Sequence, residues 1–92
     1  MHDDLPAGLA LRGKSPEFTE TSIPANLRRA HRTNAETWAR IVVLEGTLRC
    51  RILESDARET EVAPGRPAII EPGVAHSVEP VARVRFLIEF YR

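Results

Sequence analysis

The sequence predicts an all-β domain, a small sandwich or barrel. Three observations carry that reading. The central segment is β-branched and then alternates, Gly and Pro cut the chain into short pieces, and the last apolar run is built for a strand. With seven prolines and five glycines in 92 residues, no stretch between breakers is long enough for a bundle of helices.

Along the chain, Leu5-Pro6-Ala7-Gly8 to Lys14-Ser15-Pro16 reads as an extended arm. The arm is expected to lie on the body through Leu9, Leu11 and Phe18, because burying them removes apolar surface from water. In Leu27-Arg28-Arg29-Ala30-His31-Arg32-Thr33 a strand would put Leu27, Arg29, His31 and Thr33 on one side. A helical alternative competes here, with Thr33-x-x-Glu36 as a capping box for a helix from Ala35 to Leu44 and a basic helix before it. Against it, Ile41-Val42-Val43-Leu44 is stiff at χ1 and runs into a hairpin signal. Glu45-Gly46 is the expected two-residue turn. In the following segment Leu48, Cys50 and Ile52 alternate with Arg49 and Arg51. Ser55 to Arg58 reads as a second turn into Thr60-Glu61-Val62, and Pro64-Gly65 and Pro72-Gly73 bracket a short strand, Ala68-Ile69-Ile70. Beyond Pro80, Val84 to Tyr91 is the final strand, with Phe86, Ile88 and Phe90 on one face and Leu87, Glu89 and Tyr91 on the other.

Composition narrows the function classes. The 42% hydrophobic content supports one core, and the length fits a single domain. Thirteen basic and thirteen acidic side chains cancel, which argues against a uniformly basic nucleic-acid binder. The longest aliphatic run, Ile41 to Leu44, is far short of the roughly 20 apolar residues of a membrane helix. The acidic start, Met1-His2-Asp3-Asp4, lacks the basic and apolar regions of a signal peptide, so a cytoplasmic location is expected. Cys50 is the sole cysteine, which excludes an internal disulfide and a cysteine zinc cluster. It reads as core beside Leu48 and Ile52.

Few residues can do chemistry. No GxSxG elbow, P-loop, HExxH or GxGxxG occurs. His2 belongs to the terminal arm and is expected in solvent. His31 and His76, the latter placed by a turn at the start of a strand, come from distant segments that can converge inside a barrel. Imidazole is the commonest neutral metal ligand.

The order Pro24…His31-x-Thr33…Trp38-x-Arg40…Gly46, then Gly65…Glu71-Pro72-Gly73-x-x-His76, then Phe86-x-x-Glu89-Phe90-Tyr91 resembles the small cupin-type domain of the TehB-like, tellurite-resistance-associated family. That domain occurs alone and also fused ahead of a methyltransferase. The resemblance runs from about Phe18 to Arg92 and implies a double-stranded β-helix, a jelly-roll barrel whose interior commonly holds a metal. On the cupin motifs His31 takes the place of the first histidine and His76 that of the last. Thr33 stands where the second histidine would be, Trp38 or Ala39 stands near the glutamate's place, and the proline directly precedes Gly73.

Glu89 is a candidate replacement ligand, with a salt bridge to Arg40 or Arg85 as the competing role. If it turns inward, His31, His76 and Glu89 make a set of two imidazoles and one carboxylate for a divalent ion: zinc, iron or nickel. The expectation is a single domain over residues 1–92 with an arm at 1–18, binding a divalent metal or a small ligand in its barrel. The resemblance alone implies a link to tellurite or oxyanion stress. An enzyme would need that metal to activate water or substrate, and no catalytic residue is assigned. The alternative is a metal-free binding or sensory module with a pocket of Thr33, Trp38, Arg40 and Tyr91. A third class would bind nucleic acid through Arg28, Arg29 and Arg32; neither nucleic acid nor membrane is the expected partner. Small size, and the pairing through strands or swapped arms that the cupin resemblance implies, predict a homodimer with the Leu5 to Phe18 arm contributing to the contact.

Overall fold

The structure, a computed structural model, describes residues 4–29, 31–54 and 57–92. Its regular structure is six strands and one 3-10 turn: β1 (Leu11–Lys14), β2 (Phe18–Thr19), the turn (Ala25–Arg28), β3 (Trp38–Ile52), β4 (Arg58–Val62), β5 (Ala68–Ile70) and β6 (His76–Tyr91). All pairings are antiparallel. The long strands β3 and β6 pair from Trp38↔Tyr91 at one end to Ile52↔His76 at the other. On the far side of β3, β5 covers the first part and β4 the second. The arm adds β1 and β2 to the outer edge of β6. The all-β expectation holds, and the helical alternative does not form.

Glu45-Gly46 is not a hairpin. The ladder with β6 continues through it, with register shifts between Val43 and Glu45 and between Gly46 and Leu48. Gly46 has the expected positive φ, +80°, but it uses this to absorb a bulge. The consequence is a change of inward parity along β3: Ala39, Ile41 and Val43 are buried before it, and Leu48, Cys50 and Ile52 after it. A hairpin and a bulge make the same demand on a glycine, so local pattern cannot separate them. The final strand likewise begins earlier than expected, at His76, and passes through Pro80, which lies opposite Leu48 beside the irregular stretch.

The core gathers Ile41, Leu48, Cys50, Val62, Ile70 and Phe86. Phe18 of the arm packs a tilted ring on Phe86 at 5.6 Å between centroids. Leu11, expected on the body, stands 46% exposed. The predicted strand over residues 27–33 is replaced by the 3-10 turn, which buries Leu27, and by a lone bridge at His31. The capping-box motif becomes a turn: Asn34 Oδ1 accepts from the Glu36 N–H (3.0 Å) and the Thr37 hydroxyl (2.6 Å). His2 lies outside the described residues.

Candidate functional site

His31 and His76 come together across an antiparallel bridge. Each backbone N–H donates to the other residue's carbonyl, at 2.8 Å from His31 and 2.9 Å from His76. Their rings meet edge to face with centroids 5.4 Å apart. Neighbouring residues stitch the two segments further. The Arg32 guanidinium donates to the Gly73 carbonyl (2.7 Å) and pairs with Glu54 (3.1 Å). The Gly73 N–H donates to the Thr33 hydroxyl (3.3 Å). Arg32, which the sequence grouped with Arg28 and Arg29 as a candidate nucleic-acid contact, is thus a clasp for the histidine segment.

His76 is buried. Its Nδ1 lies 2.9 Å from the Val74 carbonyl, so this nitrogen carries the proton and, in the neutral ring, Nε2 keeps its lone pair. Burial pushes its pKa below the ordinary value of 6.5; the Val74 carbonyl opposes the shift, and the nearby His31 adds to it. The neutral imidazole of His76 is therefore favoured at neutral pH.

Beside the pair opens a cleft of about 440 Å³. The loop residues His31, Thr33, Asn34 and Thr37 form one part of its wall, and Arg12, Gly13, Phe90 and Arg92 form the rest. The volume falls in the range of small-molecule sites. Of the pocket residues expected from sequence, Thr33 is in this wall, whereas Trp38, Arg40 and Tyr91 are not among the lining residues. Trp38 and Tyr91 are cross-strand neighbours at the ends of β3 and β6. Arg40 sits over the Tyr91 ring at 5.7 Å.

Glu89 is not brought to the histidines. Its Oε1 accepts from Arg40 Nε (2.7 Å) and from the Tyr91 hydroxyl (2.9 Å), and Lys14 Nζ lies 3.8 Å from Oε2. The Arg40 bridge is the competing role set against metal ligation. Among the described residues no group of three His, Cys, Asp or Glu side chains is placed to hold a metal ion. Cys50 is buried, and desolvation pushes its thiol up to about 12, the state of an inert core residue.

Sequence reading missed Arg12, Gly13, Asn34, Thr37, Phe90 and Arg92 as cleft residues. The polar run Thr33-Asn34-x-x-Thr37 carried an Asx-turn signal that could have marked a loop wall. Which strand end faces that loop is decided by pairing of residues far apart in the chain.

The family model described as TehB-like domain matches residues 13–88. TehB from Haemophilus influenzae superposes with a TM-score of 0.82 at 25% identity, over 90% of this chain and 31% of that one. The chain thus spans less than a third of the length of that protein. A protein from E. coli strain K12 superposes with a TM-score of 0.85 at 17% identity, over 97% of this chain and 95% of that one. A cupin-2 domain containing protein from Shewanella frigidimarina gives a TM-score of 0.56 at 20% identity, over 91% and 67% of the two chains. The fold is that of the cupins. The sequence matches none of the curated proteins.

Proposed function

The chain belongs to the TehB-like domain family, and from that premise we propose that it is a small-ligand-binding module of cupin fold, acting in the cytoplasm. The observation that carries this reading is the 440 Å³ cleft whose wall includes His31, bridged to the buried His76. A pocket of that size with a few convergent polar groups and a perturbed histidine beside it is the default place for a ligand. His31 supplies one polar end, and Phe90 supplies apolar surface. The association with tellurite or oxyanion stress rests on the family resemblance.

A resident metal cofactor fits this donor set poorly. Catalytic zinc sites use three protein ligands, and the described residues bring together two imidazoles with no third donor. One observation favours a second reading, an exchangeable divalent ion at His31 and His76. The Nδ1–H of His76 is anchored on a backbone carbonyl, as the outer nitrogen of a ligating histidine usually is. Zinc, iron or nickel would then need further donors from the ligand or water.

The test is a thermal-shift screen of small molecules on wild type and His31→Ala. A binder of the native state raises Tm by mass action, and the reading expects hits that His31→Ala abolishes. Hits that are indifferent to His31, or none at all, contradict it. For the metal reading, calorimetric titration with zinc, iron(II) and nickel should show binding that both His31→Ala and His76→Ala remove. For assembly, the proposal is a homodimer through the outer edge of β1, which has β6 on one side and carries the exposed Leu11. Light scattering should give twice the monomer mass, and a monomer at every micromolar concentration contradicts it.

A further inference from the structure

Resting on the ligand-binding reading of this cleft, we propose that its occupant is a small organic carboxylate, held between Arg12 and Arg92 with its apolar body on Phe90.

The first ground is a bulge. In β1, Leu11 pairs with Tyr91 and Gly13 with Phe90, so Arg12 is an extra residue with no partner of its own in the ladder. Regular alternation would put Arg12 and Lys14 on the same face. They part instead: Lys14 reaches Glu89 on the outer face, whereas Arg12 lines the cleft with Gly13. Bulges commonly re-aim a side chain beside a functional site. Arg92, from the segment just after β6, lines the same cleft.

The second ground is polarity. Among the described residues no acidic residue lines the cleft, while two arginines do. The neutral groups also present donors. Asn34 Oδ1 is occupied by two bonds, which leaves its amide hydrogens to donate. Thr33 Oγ1 accepts from the Gly73 N–H and keeps its own hydrogen. A wall of donors selects a ligand of acceptors, and guanidinium forks match a planar carboxylate. Glu36 lies 3.9 Å from Arg92, with both side chains more than half exposed, a surface pair that a bound carboxylate readily displaces. The ring of Phe90 favours an organic anion over a bare inorganic one.

The test uses four probes, benzoate, its neutral isostere benzamide, the cation benzamidine, and sulfate, titrated into the isotopically labelled chain. Benzoate should move the backbone resonances of Gly13, Thr33, Asn34 and Thr37 and bind at least about tenfold more tightly than the other three. R12Q and R92Q should each weaken benzoate by about tenfold, since each removes a charge-assisted bond. K14Q removes an equal charge two residues away and should leave benzoate binding unchanged. Benzamide or sulfate matching benzoate, or K14Q costing as much as R12Q, overturns the carboxylate assignment and leaves the ligand-binding reading standing. If no probe moves a cleft resonance, the assignment falls together with that reading.

Discussion

His31 and His76 each donate a backbone hydrogen bond to the other, and their rings meet edge to face at 5.4 Å. One histidine comes from an irregular loop and the other from the first residue of a 16-residue strand. The loop histidine is therefore as well placed as the strand that receives it.

The burial of His76 makes stability depend on pH in a stated direction. Burial depresses the pKa of His76 below 6.5, so the unfolded chain takes up the proton more readily. The stabilisation that this gives is full above about pH 6.5, the unfolded value, and is lost as pH falls from there through the folded value. His76→Gln should flatten that part of the profile relative to wild type. Melting temperatures of the two forms from pH 8 down to about pH 5, where this group titrates, will check it; parallel profiles would contradict it.

Arg32 should act on the site without touching the ligand. Arg32→Ala removes the bonds to the Gly73 carbonyl and to Glu54 that clasp the loop. Amide hydrogen exchange at His31 should then accelerate, with exchange in the centre of β3 unchanged. Uniform acceleration throughout the sheet would assign Arg32 to global stability instead.

Glu89 is a structural carboxylate. Arg40→Met leaves it buried with only the Tyr91 hydroxyl and the longer 3.8 Å ion pair to Lys14, which should cost about 1–3 kcal/mol in chemical denaturation. Arg40→Met combined with Glu89→Gln should cost less than the sum of the two changes. Glu89→Gln alone should leave zinc and ligand binding unaltered; weakened zinc binding would restore Glu89 as a metal ligand.

Gly46 and Gly65 both have a φ of +80°, yet they should respond differently to alanine. At Gly46 an added Cβ would lie 1.9 Å from the Arg83 carbonyl oxygen, whereas at Gly65 nothing lies within 4 Å. Gly65→Ala carries the backbone strain alone, about 1–3 kcal/mol, and Gly46→Ala should exceed it by displacing β6. Equal losses of stability would contradict the bulge account.

The strands were legible where alternation of burial or flanking turn residues marked them. Leu48, Cys50 and Ile52 alternate with Arg49 and Arg51 as their burial requires, and Ala68-Ile69-Ile70 is bounded by its turn residues. The continuity of β3 was not legible, because Gly46 supplies the same φ to a turn as to a bulge, and the partner that decides between them, around Arg83 and Val84, lies far along the chain. His31 and His76 were readable as a pair through the family motif. Arg12 was not, since its direction depends on a bulge whose register is set by Tyr91 and Phe90. Arg40, Glu89 and Tyr91 form a cluster that sequence reading divided between a pocket and a metal set, although alternation already placed Glu89 and Tyr91 on the face opposite Phe86 and Ile88.

The central claim, that the cleft beside the histidine pair is a ligand site, is tested most directly by a fragment screen observed on the protein's own NMR resonances. The account predicts that saturable shifts converge on Gly13, His31, Thr33, Asn34 and Thr37, with the ring signals of His31 among those that move. Fragments that bind reproducibly at another surface while these resonances stay fixed would contradict it.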